Sequence, residues 1–177
     1  MTLNEIRSHH PCQDGWAKLL KHLNKTSGDD EPLHLSTILA SNGLNDAIWC
    51  LRTEPTPERI QRFALAVARR TQHLHPQAKA TLDIVERYLS GQATKAKLNA
   101  THAAAYTTRA AYSASCCVSS AAYTTRAAYS ASCCATNAAS GVAADDAAHT
   151  AAFAAFAATD IEAEREAQSQ IFKEIFA

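Results

Sequence analysis

The chain is expected to be all-α: a compact N-terminal domain of about six short helices followed by long alanine-rich helices, arranged as an αα-hairpin. Three observations carry this expectation. In residues 1–91, apolar side chains recur at helical spacing between capping and proline signals. Residues 101–160 hold 24 alanines, two arginines and no lysine. No proline follows Pro76. Alanine loses no side-chain entropy on ordering, which makes it the best helix former.

Thr2-Leu3-Asn4-Glu5 has the spacing of a capping box and starts a short helix that stops before Pro11. Asp14 can cap a second helix, whose Trp16, Leu19, Leu20 and Leu23 fall on one face. Thr26 to Pro32 reads as a loop. A third helix covers Leu35 to Ala40 and ends at Asn42-Gly43, a C-cap signal. Asn45 or Asp46 opens a fourth, which Glu54-Pro55-Thr56-Pro57 terminates. Pro57 suits the first turn of the fifth helix, which runs to about His73 with Ile60, Phe63, Ala64, Val67 and Ala68 as its buried stripe. One of the imidazoles of His73-Leu74-His75 is expected to cap its end. A sixth helix after Pro76 turns Leu82, Val85 and Leu89 inward and stops at Ser90-Gly91.

Residues 92–177 form the alanine-rich region. One long helix is expected from about Thr94 to Ala139, with a turn at Ser140-Gly141. A last helix then runs to the C-terminus and packs through Ile171, Phe172, Ile175 and Phe176. Residues 104–117 read AAYTTRAAYSASCC, and residues 121–134 repeat them unchanged at a period of 17. On one regular helix a 17-residue step turns equivalent positions by about 100°. Arg109 and Arg126 would then not share a face, nor would Tyr106 and Tyr123, nor Tyr112 and Tyr129. A stripe of Ala105, Tyr112, Cys116, Tyr123, Ala127 and Cys134 instead keeps an 11-residue period, which stays aligned on a nearly straight helix. Val118-Ser119-Ser120 supplies no glycine or proline to turn the chain.

Composition bounds the function. The formal net charge is zero, with 17 basic and 17 acidic residues, so no long-range field draws the chain to nucleic acid or an anionic membrane. The N-terminus is polar and no apolar run approaches a membrane span, which places the protein in the cytoplasm. The six cysteines then read as small packing residues. His9-His10-Pro11-Cys12 makes no standard zinc set, and on one helix Cys116-Cys117 and Cys133-Cys134 would stand about 25 Å apart. No nucleotide loop, nucleophile elbow or HExxH is present. We expect no enzyme, no cofactor and no metal. Tyr106, Arg109, Tyr112, Tyr123, Arg126 and Tyr129 stand out on a helix otherwise made of small residues and are candidate partner contacts. Trp16, Trp49 and Arg52 are candidate interface anchors, since Trp and Arg often serve as such; the competing reading makes both tryptophans core.

The segments TLNEIRSHHPCQDGW (residues 2–16), TILASNGLNDAIWCLR (37–52) and FALAVARRTQHL (63–74) resemble a family of immunity proteins found in bacteria and temperate phages. Its members tend to end in variable alanine-rich repeats with Trp, Arg and Asp interleaved; here Tyr, Thr, Ser and Cys replace most of those. The resemblance implies a stoichiometric protein-binding inhibitor that blocks a toxin, a nuclease or a host-defence complex such as a CRISPR effector, and brings no catalytic residues with it. Two other readings stand beside it: a sponge for a small molecule or nucleotide messenger, using a pocket lined by Trp16, Trp49 and Arg52, and a structural protein that self-assembles into a homo-oligomer through its alanine-rich helices.

Overall fold

In the computed structural model, residues 1–74, 76–115, 120–140, 143–158 and 160–176 are described, and among them every regular element is helical. The first six α-helices follow the sequence signals closely. Thr2 closes a full capping box on α1 (Leu3–Ser8): its side chain accepts from the Glu5 N–H, and Glu5 reaches back to the Thr2 N–H at 2.8 Å. Next come α2 (Gln13–His22), α3 (Leu35–Asn42) and α4 (Leu44–Trp49), which continues into a 3-10 turn, Cys50–Thr53. Pro57 occupies the first turn of α5 (Pro57–Thr71), and its expected stripe is buried from Ile60 to Ala68. In α6 (Pro76–Leu89), Leu82 and Val85 are buried and Leu89 is half-buried. Gly91 follows α6 at φ +72°, a left-handed conformation that glycine adopts without a Cβ clash.

Three helix ends are closed by other groups than expected. Cys12, not Asp14, caps α2, its Sγ accepting from the Gly15 N–H at 3.4 Å. Gly43, at φ +94°, ends α3 and also opens α4, so neither Asn45 nor Asp46 caps. The end of α5 is closed by Gln72, whose N–H donates to the Arg69 carbonyl and whose side-chain oxygen accepts from Arg69 at 2.7 Å. His73 is exposed in the 3-10 turn Gln72–Leu74, and His75 lies outside the described residues.

The larger correction concerns the alanine-rich region. The expected helix from Thr94 to Ala139 is two helices, α7 (Lys95–Ser115) and α8 (Ser120–Ser140). They lie antiparallel. Ala105 of α7 clusters with Cys133 of α8, and Leu98 clusters with Ala139. On one straight helix Ala105 and Cys133 would be separated by about 40 Å at 1.5 Å of rise per residue. The 11-residue stripe is therefore no single face, and the two copies of the repeat fall mainly on separate, opposed helices. The expected last helix is also divided, into α9 (Ala143–Ala157) and α10 (Ile161–Phe176). Asp160 starts α10 by accepting from the Ala163 N–H at 3.0 Å.

Packing explains the reversal. From Ser130 to Ala139, every residue of α8 except the half-buried Asn137 is buried. A helix apolar or small on all sides belongs in an interior, and α8 touches α5, α6, α7 and α9. Its side chains are short enough to let all four approach. The hydroxyls that go inside are satisfied locally: Thr136 donates to the Ser132 carbonyl at 2.8 Å, and Thr150 of α9 to that of Asp146 at 2.7 Å. One hydrophobic cluster joins Leu3, Ile6, Phe63 and Val67 to Ala131, Ala135, Ala151, Phe172 and Phe176. The aromatic knot in it sets Phe63 edge-on to Phe172, with ring centroids 5.5 Å apart. The Arg59 guanidinium closes the C-terminal end of α10 by donating to the Ile175 carbonyl at 3.0 and 2.6 Å.

Candidate interaction site

Helices α1 to α4 leave a cleft between the two tryptophans. Its walls include Ile6, Pro11, Trp16, Ile38 and Trp49, and its polar groups are Cys12, Asn42, Asp46 and Cys50. Gly15 makes the close approach possible. A Cβ there would stand 2.8 Å from Asp46 Oδ2 and 3.1 Å from Cys12 Sγ. The Asn42 side chain then ties the helices together, donating to the Gly15 carbonyl and to Asp46 Oδ2, each at 2.8 Å. Both amide hydrogens of Asn42 are spent on this bridge, so the rim of the cleft is held on two sides.

Each tryptophan is half-buried and carries an arginine. The Arg7 guanidinium lies 5.8 Å from the Trp16 ring centroid and that of Arg52 lies 4.1 Å from Trp49. Arg52 also pairs with Asp145 of α9 at 2.9 Å. The cavity measures about 110 Å³, below the ~150 Å³ of an engineered cavity that holds one benzene. It has room for an aliphatic side chain. The Cys50 thiol faces the same space, pushed up to about 12 by burial and then by the neighbouring Asp46 charge, so it is no thiolate nucleophile at neutral pH.

The structure thus brings Trp16 and Trp49 together, while Arg52 faces a second pocket on the other side of Trp49. Tyr106, Arg109, Tyr112, Tyr123, Arg126 and Tyr129 lie on the backbones of α7 and α8, and their side chains are outside the described ones. Cys116 and Cys117 are outside the described residues altogether. Cys133 and Cys134 are buried, and His9 and His10 are exposed. Among the described residues no three His, Cys, Asp or Glu side chains are placed to hold a metal ion. No helix among them is long and apolar enough to cross a membrane. Gly15, Asn42 and Asp46 carry no signal in the sequence beyond helix punctuation, yet they build the cleft. Neither a protein-family profile, nor a curated protein, nor a solved structure matches the chain.

Proposed function

We propose that this chain is a stoichiometric protein-binding inhibitor of the immunity type, acting in a bacterial cytoplasm on a toxin, a nuclease or a host-defence complex, with the Trp16–Trp49 cleft as its anchor point. One observation carries the reading. Two of the three segments that resemble immunity proteins, residues 2–16 and 37–52, supply every wall of the cleft except Leu19. A pocket between two tryptophans, with Arg52 over Trp49 and Arg7 near Trp16, has the residue types that dominate binding energy in protein interfaces. Its size favours one apolar side chain of a partner.

The rival readings find less support. A nucleotide messenger does not fit the about 110 Å³ of the cleft between Trp16 and Trp49, which is well under the ~300–1,000 Å³ of sites for ligands of that size. Self-assembly has no free face on α8 between Ser130 and Ala139, which α5, α6, α7 and α9 already cover. The test is affinity purification of the tagged chain from a bacterial host, with quantitative mass spectrometry. A partner recovered at near-equal stoichiometry with the wild type, and lost with Trp16→Ala/Trp49→Ala, is the expected result. Recovery of no such protein, or its equal recovery by the double variant, rejects the proposal.

A further inference from the structure

The pocket on the far side of Trp49 differs in chemistry from the cleft. It lies between α4, α9 and α10, and its volume of about 220 Å³ exceeds the ~150 Å³ that accommodates benzene. Its space comes from the alanines of α9. Ala144, Ala148 and Ala151 line it at helical spacing, where longer side chains would fill it. Two guanidinium groups border it, from Arg52 and Arg165. Each makes one hydrogen bond, Arg52 to Asp145 Oδ1 and Arg165 to Asn45 Oδ1, both at 2.9 Å. Most of their five N–H donors remain available.

Gln168 supplies the other polar group. It is 1% exposed, and its amide hydrogens go to the Ala151 carbonyl and to Glu164 Oε1, each at 3.0 Å. Its carbonyl oxygen is left as an acceptor at a mostly apolar pocket. Guanidinium donors for an anion, a buried acceptor and an alanine lining thus border one pocket.

We infer that this pocket binds a small aromatic carboxylic acid, its carboxylate between Arg52 and Arg165 and a hydroxyl or amine donating to Gln168. Asp145 already holds a carboxylate against Arg52, which marks the geometry that the guanidinium accepts. Asp145 is 68% exposed, so an incoming carboxylate displaces only a weak surface pair. The pocket shares Trp49 with the cleft, but its test uses the free chain and needs no docked protein.

Isothermal titration of the intact chain with 4-hydroxybenzoate tests it, with benzoate and 4-hydroxybenzamide as controls. Saturable one-to-one binding of 4-hydroxybenzoate is expected, several-fold weaker for benzoate and absent for the uncharged amide. Arg165→Gln should weaken it at least tenfold. Ala148→Leu, which fills the space without removing a charge, should abolish it while the thermal transition of the free protein stays in place. Asp145→Asn removes the internal competitor and should tighten binding, by up to about fivefold for an exposed pair. No saturable binding, equal binding of the amide, or unchanged binding to Ala148→Leu would overturn the assignment.

Discussion

Phe172→Ala probes how firmly the alanine-rich half is joined to the first six helices. Phe172 is 0% exposed, packs edge-on against Phe63 at 5.5 Å and lies 4.7 Å from Phe176. Truncating a buried phenylalanine costs about 3–5 kcal/mol, because the cavity left behind collapses only in part. The site sits where α10 meets α5, between rigid helices, so we expect the upper part of that range, about 4–5 kcal/mol. At roughly 2–4 °C per kcal/mol for a chain of this size, the midpoint should fall by about 8–20 °C. Thermal unfolding followed by far-ultraviolet circular dichroism and by tryptophan fluorescence separates the outcomes. Both tryptophans lie in the first fifty residues, far in sequence from the substitution. If the shared cluster of Leu3, Phe63, Ala135 and Phe172 is one cooperative core, both signals should shift together. A tryptophan transition that stays in place while helicity melts early would refute a common core.

Three further predictions concern single side chains. Burial pushes the Asp146 carboxyl above its ordinary value, so this group favours the folded state at low pH and loses that advantage as pH rises through its raised folded value. Asp146→Asn should therefore stabilise the protein at pH 7 and should steepen the acid limb of the pH–stability curve, because the wild-type carboxyl opposes the rise of stability with pH; destabilisation at pH 7 would contradict this. Iodoacetamide at pH 8, read by peptide mapping, should modify the exposed Cys12 and spare the buried Cys50, Cys133 and Cys134 until the protein unfolds. Equal labelling of Cys12 and Cys50 would count against the packing of α4. Glu164, 6% exposed, pairs with Arg70 at 2.7 Å. Glu164→Ala should cost about 1–2 kcal/mol in urea unfolding, less than the ~3–5 kcal/mol of a fully buried pair, because Arg70 is 39% exposed and stays solvated.

Residues 1–91 were legible because local chemistry decides them. The Thr2–Glu5 capping box, the proline at the start of α5 and the stripe from Ile60 to Ala68 each act within one or two turns. The alanine-rich half was legible as helix but not as topology. Alanine favours an unbroken helix, and nothing between Ser115 and Ser120 says otherwise. The antiparallel pairing of α7 and α8 is stabilised by clusters distant in sequence, Ala78, Ala105 and Cys133 in one and Val85, Leu98 and Ala139 in another. Asp160 was a readable cap that divides α9 from α10, hidden among better helix formers. The tryptophans could be singled out by type, but their cleft could not. It depends on Gly15 letting α2 approach Asp46 and on Asn42 bridging the two, which becomes visible only when three helices meet.

Hydrogen–deuterium exchange on the complex captured with its partner addresses the binding role most directly, read peptide by peptide against the free chain. New protection should concentrate in residues 6–19 and 42–52, the two stretches that enclose the space between Trp16 and Trp49. Protection confined to α7 or α10, with those stretches exchanging as they do in the free protein, would contradict the placement of the docking site.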